Sequence, residues 1–393
     1  MKLASNEGWP VSPAGAMTWL DAGEPLRGVN IVVSTLRLSR IIEHEPADLV
    51  AIAEAGVALN NFNNALAKNG QWLPVDPPDD GRATIGGVVA TGLAGAQQFG
   101  YGAPRRHVIG MKLVLADGSL IKAGGRVVKN VAGYDLCKLF TGSYGTLGVI
   151  VEVNFKLRPI PFETRSILAT GKREDLLSGA RQVIDSCLFP VAVELLSPRL
   201  AYEAGWSEGK DHLLLVRFAG SLNAVDEQAK RAIEFLIDND PRTNEQVAPD
   251  DATIWHSLAA LPLRFREDLI WRVGLRPADV GPFLEKLDKA RLNNNVGPMW
   301  QAGVGDGRIR LIDRLPENET TSGDIEKLFI DRVEMLRANA QSLGSALIIE
   351  NAPPKVKNRV GSWGTSAPAE GLMKRIKQQL DPCDILSPGR FGF

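Results

Sequence analysis

Apolar and polar positions alternate in short runs over residues 1–160, a pattern of strands broken by turns. Val29-Asn30-Ile31-Val32-Val33 and Leu49-Val50-Ala51-Ile52-Ala53 are two predicted strands. Leu59, Phe62 and Leu66 then recur at helical spacing, and Gly70 is placed to end that helix. Pro74, Pro77 and Pro78 hold the next stretch extended. Strands are predicted over 111–115 and 120–122, with Asp117-Gly118 as the hairpin turn between them. A further strand over 147–157 is broken by Arg158-Pro159-Ile160-Pro161, which marks a domain boundary.

Beyond that break the periodicity changes. Strands are predicted over 166–169, 191–195, 213–218, 272–275 and 309–312, and a helix over 174–186. Val225, Ala229, Ala232, Ile233 and Leu236 mark an amphipathic helix, and Leu372, Met373, Ile376 and Leu380 the face of a last one. The polar stretch 239–252 reads as a loop, and 381–390 as a rigid extended stop. Strands interleaved with helices predict an α+β sandwich for this part.

Composition narrows the function classes. The 393 residues suit two or three domains, and a net charge of −1 argues against a general nucleic-acid binder. No apolar run approaches the roughly 18 residues of a membrane span. The N-terminus, Met1-Lys2-Leu3-Ala4-Ser5-Asn6-Glu7, lacks a signal-peptide core. Three scattered cysteines, Cys137, Cys187 and Cys383, form neither a disulfide framework nor a metal pair, and point to a reducing cytoplasm. No metal site is expected, and an iron–sulfur cluster, which usually needs about four thiolates, is not expected on this chain.

The chemistry is concentrated in 83–150. This stretch opens with Ala83-Thr84-Ile85-Gly86-Gly87, passes Thr91-Gly92, and closes with Gly142-Ser143-Tyr144-Gly145-Thr146-Leu147-Gly148-Val149-Ile150. Glycines this dense beside Thr and Ser leave main-chain N–H groups bare to press against a large phosphorylated ligand. No G-x-G-x-x-G lies between a strand and a helix, and no G-x-x-x-x-G-K-[ST] occurs, so neither a Rossmann nor a P-loop site is supported.

These motifs, with Arg105-Arg106-His107, Lys129-Asn130-Val131-Ala132-Gly133-Tyr134-Asp135-Leu136 and the tail around Ser387-Pro388-Gly389-Arg390, carry a resemblance. The chain resembles the PCMH-type FAD-binding oxidoreductases of the vanillyl-alcohol oxidase superfamily. Within them it is similar to the FAD-binding E subunits of bacterial glycolate oxidases. The resemblance implies an α+β fold: an FAD-binding domain of two subdomains over 1–160, an α+β cap over 161–350, and a C-terminal segment, 351–393, returning to the FAD domain. It also implies roughly twenty to forty further residues ahead of the phosphate loop, a strand and helix by the logic of such units. A chain without them is expected to expose sheet edge, be of low stability alone and depend on a partner.

The resemblance assigns the pyrophosphate turn to Pro13, Ala14, Gly15, Ala16, Met17 and Thr18. Relatives are glycine-rich here, and Ala16 and Met17 depart from that, which puts phosphate affinity in question. Pro78, Ala83, Thr84, Ile85, Gly86, Gly87, Thr91 and Gly92 line the flavin and ribityl path, Thr84 and Thr91 through their hydroxyls. Gly142, Ser143, Gly145, Thr146, Gly148, Val149 and Ile150 bring main chain to the nucleotide, and Arg390 reaches back to it. The FAD is expected to be noncovalent: none of His44, His107, His212 and His256 lies in the phosphate turn, and Arg82 stands where cysteine-linked relatives carry a thiol. His107 reads as a structural histidine at a surface or interface.

Gln301-Ala302-Gly303-Val304-Gly305-Asp306-Gly307-Arg308-Ile309-Arg310 resembles the histidine-bearing segment of catalytic 2-hydroxy-acid dehydrogenases, with Gly303 and Arg310 where they carry imidazoles. Arg272, Arg276, Arg308 and Arg310 are weak candidate carboxylate clamps, since guanidinium binds carboxylate bidentately; a structural or solvated arginine is the better reading of each. With flavin and arginines but no evident base, the chain fits an FAD-binding subunit of a glycolate oxidase complex, beside a catalytic flavoprotein subunit and an iron–sulfur subunit. Two alternatives stay open: a stand-alone dehydrogenase of another small hydroxy acid or alcohol, and a degenerate scaffold, suggested by Ala16 and Met17.

Overall fold

The computed structural model describes residues 1–125, 135–239, 244–247, 251–266, 268–289, 299–314, 322–364 and 367–393. The motif run 129–134 lies outside the described residues. The chain forms two compact units: Met1–Gly95 with Gly102–Ile160 and Thr365–Phe393, and Ala96–Tyr101 with Pro161–Gly364.

The first unit carries strands β1 (Val11–Ala14), β2 (Ile31–Ser34), β3 (Ile41–Glu45), β4 (Val50–Glu54), β5 (Gln71–Trp72), β6 (Val108–Val114), β7 (Leu120–Gly124), β8 (Val149–Lys156) and β9 (Arg158–Pro159). Five of them make an antiparallel sheet in the order β3-β4-β8-β6-β7. Strand residues alternate faces, so Ala51, Ala53, Val153 and Phe155 meet Phe62 and Leu66 of the helix Leu59–Ala67 in one core. Phe62 and Phe155 sit 5.7 Å apart, ring centre to ring centre. A parallel pair, β1 and β2, stands apart from this sheet. The C-terminal tail completes it: the Val11 N–H donates to the Ile385 carbonyl at 2.7 Å, and the Ser387 N–H to the Val11 carbonyl at 2.8 Å.

The glycine-dense stretch holds a helix, Ile85–Thr91, that its glycines disguise in the sequence. The Thr84 hydroxyl caps its start by accepting from the Gly87 N–H at 3.3 Å, and Gly92 ends it in the left-handed region at φ 64°. A side chain at Gly86 has no room, because its Cβ would lie 2.7 Å from the Ala55 Cβ. The glycine lets the helix press onto the chain leaving β4.

The second unit is built on an eight-stranded antiparallel sheet. Its strands are β10 (Glu163–Gly171), β11 (Ala192–Leu196), β12 (His212–Gly220), β13 (Asn244–Val247), β14 (Leu269–Gly274), β15 (Met299–Gly303), β16 (Arg308–Asp313) and β17 (Leu347–Asn351). Their order is β13-β10-β12-β11-β15-β16-β14-β17. One face packs Val193 and Leu195 with the helices Arg173–Asp185 and Leu222–Asn239, in a core that also holds Trp271 and Trp300. The other packs Ala192, Leu196, Leu213 and Met299 against Trp255, Leu258 and Phe265.

Two expectations are corrected. The polar stretch 239–252 is not all loop, since β13 pairs with 167–170 of β10. Backbone pairing at a sheet edge needs no apolar side chains, so polarity hid this strand. The tail is not a straight extended stop: Asp384, Ser387 and Gly389 have φ of 48°, 44° and 81°, turning the chain back on itself. Among the described residues, no helix is long and apolar enough to cross a membrane.

Candidate functional site

A trough opens in the first unit where β1 ends. Its floor and walls come from four segments: the turn after β1, the capped helix Ile85–Thr91, the loop into β8, and the tail. Pro13, Ala14, Gly15, Ala16, Met17 and Thr18 all line it. Opposite them stand Thr84, Gly86, Gly87 and Thr91, and further along Gly145, Gly148, Val149, Ile150 and Arg390. At two glycines the segments approach closely as bare main chain. A Cβ on Gly15 would fall 2.2 Å from the Thr84 hydroxyl oxygen, and one on Gly145 would meet Pro13 at 3.3 Å.

Other expected positions lie beside the trough rather than on it. Gly142, Ser143 and Thr146 line an adjoining cavity of about 180 Å³, which shares Ser387 and Arg390 with the trough. Ile85 is a core side chain, Gly92 is the helix cap, and the Ala83 N–H is held by the Asp79 carboxylate at 2.9 Å. The Pro78 carbonyl accepts from the Trp19 indole at 2.7 Å. Thr91 donates its hydroxyl proton to the Gly87 carbonyl of its own helix at 2.9 Å, so toward a ligand it can only accept. Ser12, Trp19, Leu20, Thr35, Ala90, Tyr144 and Ser387 line the trough too, and the sequence reading missed them. Only neighbourhood to known motif positions could have flagged Ser12, Tyr144 and Ser387.

Arg390 is buried at the trough wall, its Nη1 donating to the carbonyls of Ala22 at 2.5 Å and Glu24 at 3.2 Å. Burial pushes its pKa down, while Tyr144, Asp21 and Glu24 pull it back up. A guanidinium starts so far above neutrality that it remains a cation.

Backbone strain gathers here. Among the described residues five non-glycine side chains have positive φ, and three of them, Met17 (60°), Tyr144 (53°) and Ser387 (44°), line the trough. Such conformations cost energy and persist where surrounding structure over-determines them. Met17 therefore occupies a left-handed position suited to glycine. Met17→Gly is expected to stabilise the protein by about 1 kcal/mol, a rise of about 2 °C in melting temperature. A lower melting temperature would contradict strain at this turn.

The four candidate arginines lie in the second unit. Arg272, Arg308 and Arg310 share one face of the sheet, and each already holds a carboxylate. Glu350 bridges Arg310 (2.6 and 3.2 Å) and Arg272 (2.9 Å). Arg308 donates to Glu194 at 2.5 Å and to Asp306 at 3.2 Å, and Gln301 donates to the other Glu194 oxygen at 2.9 Å. Burial pushes the Glu350 carboxyl up, but Arg310 and Arg272 overcome this and hold its pKa at about 2. Arg276 is elsewhere, exposed and paired with Asp279 at 2.6 Å.

Remaining candidates play structural parts. His107 is buried, not at a surface: the Lys156 N–H donates to its carbonyl at 2.8 Å, and the strand it precedes draws it inward. Burial lowers the His212 pKa to about 4, with Arg173 adding to the effect. Arg82 is exposed and salt-bridged to Asp80 at 2.7 Å. Burial raises the Cys137 thiol to about 11, which leaves it an unreactive core residue.

A family model described as an FAD binding domain matches residues 1–124. Glycolate oxidase subunit GlcE of Escherichia coli K12 is 30% identical over 372 residues, covering 94% of this chain and 88% of that protein. D-2-hydroxyglutarate dehydrogenase of Xanthomonas citri pv. viticola is 28% identical over 408 residues, covering 99% of this chain and 85% of the relative. Among solved structures, an alkyldihydroxyacetonephosphate synthase superposes with a TM-score of 0.72 at 15% identity, covering 98% of this chain and 74% of that one. That likeness concerns the fold.

Proposed function

The chain belongs to the PCMH-type FAD-binding oxidoreductases of the vanillyl-alcohol oxidase superfamily, and from that premise we propose that it is the FAD-binding subunit of a glycolate (2-hydroxy acid) oxidase complex. It is an FAD-dependent oxidoreductase. In the proposed complex it stands beside a catalytic flavoprotein subunit and an iron–sulfur subunit. Residues 1–95 and 102–160 with 365–393 would form the FAD-binding part, and 161–364 with 96–101 the cap; the stretch 351–364, expected to return to the first unit, stays with the second.

The trough carries this reading. Its residues fit FAD, because main chain is left bare at Gly15, where a side chain has no room, and at Gly145, which turns in the left-handed region at φ 71°. The turn from Pro13 to Thr18 would hold the pyrophosphate through backbone N–H groups. The Thr84 hydroxyl keeps its own proton to donate while it caps the helix. Arg390 would place positive charge beside the cofactor. Bound FAD supplies a two-electron acceptor at its isoalloxazine ring. The residues lining the trough include no histidine or cysteine, and the FAD is noncovalent in this reading.

The accessory role is supported by the arginine row. If the resemblance of 301–310 to the histidine-bearing segment holds, Arg310 stands in the place of an imidazole; its guanidinium is committed to Glu350. A committed arginine neither accepts a hydroxyl proton nor stands free to clamp a substrate carboxylate. The isolated chain is therefore expected to purify yellow, release its flavin on acid denaturation, and turn glycolate over slowly unless the other subunits are added. The assay is anaerobic flavin bleaching and dye reduction with glycolate, D-lactate and D-2-hydroxyglutarate. Rapid turnover of any of them by the chain alone would overturn the accessory role. It would favour a stand-alone hydroxy-acid dehydrogenase, to which the 28% identity with the D-2-hydroxyglutarate enzyme lends support.

A further inference from the structure

The geometry points to Lys377 as a positioning residue of the cofactor site: its buried ammonium ties the loop into β8 to the C-terminal tail, so that tail docking and FAD binding favour each other. This rests on the proposed FAD trough and goes beyond it, since Lys377 is not among the residues that line the trough.

Lys377 stands in the last turn of the helix Ala367–Leu380 and is buried. Its ammonium donates to the Thr146 carbonyl at 3.0 Å, to the Leu386 carbonyl at 2.8 Å and to the Asp381 carboxylate, which accounts for its three protons. Asp384 brings a second carboxylate to 3.2 Å. Asp381 is buried in turn, and accepts from the N–H groups of Ile385 at 3.1 Å and Leu386 at 2.7 Å. The pair therefore fixes the turn 381–386 that launches the tail, while the same ammonium reaches across to the loop.

The two carbonyls matter because of what adjoins them. Thr146 follows Gly145 and Leu386 precedes Ser387, and both Gly145 and Ser387 line the trough. Leu386 also lies beside Val11, which exchanges main-chain hydrogen bonds with Ile385 and Ser387. Three of the four trough segments, the end of β1, the loop into β8 and the tail, thus meet around one cation. At Gly145 they nearly touch: a Cβ there would lie 3.3 Å from Pro13 and 3.5 Å from the Ser387 hydroxyl oxygen.

A buried ammonium and carboxylate carry a desolvation penalty that apolar side chains of similar volume avoid. Fold stability by itself therefore gives little reason for a lysine here. An apolar side chain cannot hold two main-chain carbonyls from distant segments at a fixed separation, and Lys377 does. A tail that comes away takes Ser387 and Arg390 out of the trough wall together. FAD bound against them opposes that release, and such coupling is reciprocal.

The test compares the full chain with Lys377→Met, with Lys377→Met combined with Asp381→Asn, and with Leu66→Ala, a core change in the same unit that does not line the trough. Each is freed of flavin and titrated with FAD at a temperature where it is folded. Hydrogen exchange is followed by mass spectrometry with and without FAD. In the unmodified chain, FAD is expected to slow exchange of the tail peptide 381–393 at least about fivefold more than that of the helix Leu59–Ala67. Lys377→Met is expected to bind FAD at least about tenfold more weakly, on the scale of a lost charge-assisted hydrogen bond, and its tail to exchange faster. The double variant removes the buried carboxylate charge along with the ammonium, which keeps the fold should Asp381 alone disrupt it, and the same loss of affinity is expected. Leu66→Ala leaves a cavity and lowers the melting temperature, yet is expected to bind FAD within about twofold of the unmodified chain. Should FAD affinity fall in step with melting temperature across all three variants, Lys377 serves the fold alone and the inference is overturned. Tail exchange that FAD slows no more than the core helix overturns it without any variant. An unmodified chain that takes up no FAD brings down the functional reading itself, which separates the two failures.

Discussion

Gly15→Val is expected to yield a folded but colourless protein, with FAD affinity reduced at least about 100-fold, equivalent to about 2.7 kcal/mol. The Cβ position at Gly15 lies 2.2 Å from the Thr84 hydroxyl oxygen and 3.2 Å from both Thr84 Cβ and Cγ2. Thr84 cannot simply rotate away, because its hydroxyl caps the helix Ile85–Thr91 and its side chain is buried. Losing the cap costs about 1 kcal/mol, and forcing extra carbons into the contact costs about 1–3 kcal/mol. Whatever relaxation absorbs the clash also separates the turn after β1 from the helix, and these are opposing walls of the trough. Flavin absorbance per mole of protein, followed by FAD titration of the flavin-free chain, measures the effect. Flavin content equal to that of the unmodified chain would remove Gly15 from the cofactor site.

Glu350→Gln acts in the other unit, and its expected effect is on stability. Glu350 is hydrogen-bonded to Arg310 and ion-paired with Arg272, and Arg310 is buried. Removing one member of a buried ion pair leaves charge without compensation and costs about 3–5 kcal/mol, or roughly 10 °C in melting temperature for a unit of this size. The pH dependence fixes the mechanism. The folded pKa, about 2, lies below the ordinary 4.5. Its contribution is therefore fully present above pH about 4.5 and is lost as pH falls toward 2. The stability gap between the unmodified chain and Glu350→Gln should be widest near neutrality and shrink steadily below that ordinary value. Denaturant unfolding of both proteins at several pH values measures it. A gap that stays constant into the acid range would show that packing, not charge, holds Glu350 in place.

Much of the architecture was legible beforehand because local patterning and local structure agree. The apolar spacing of Leu59, Phe62 and Leu66 makes a helix wherever it is placed, and it does so here. Asp117-Gly118 turns a hairpin by its own backbone preferences, with Gly118 at φ 84°. The strands around Ile52, Leu168, Leu214 and Ile309 carry β-branched and apolar runs that strands need in any context. Where the pattern failed, nonlocal forces had taken over. The glycines at 86 and 87 oppose a helix locally, yet contact with Ala55 and the Thr84 cap impose one. Strand β13 exists because β10 offers an open edge, not because its own residues are apolar.

The same division runs through the site. Glycines recur at positions 15, 86, 87, 145 and 148 because main chain must come close there, and that requirement is written residue by residue. So is the family, through motifs whose spacing depends on the chain alone. The partners of each side chain were decided only when distant segments met. Arg272, Arg308 and Arg310 stood in the sequence as clamp candidates better read as structural, without named partners, and the sheet register delivered Glu350 and Glu194 to pair with them. Tyr144 carried no assignment in the sequence, and only the tail, more than two hundred residues on, sets Phe391 against its ring. Backbone preferences are local and travel with the sequence; charge pairing and ring packing are set by which strands and tails become neighbours, and only the tertiary structure chooses those.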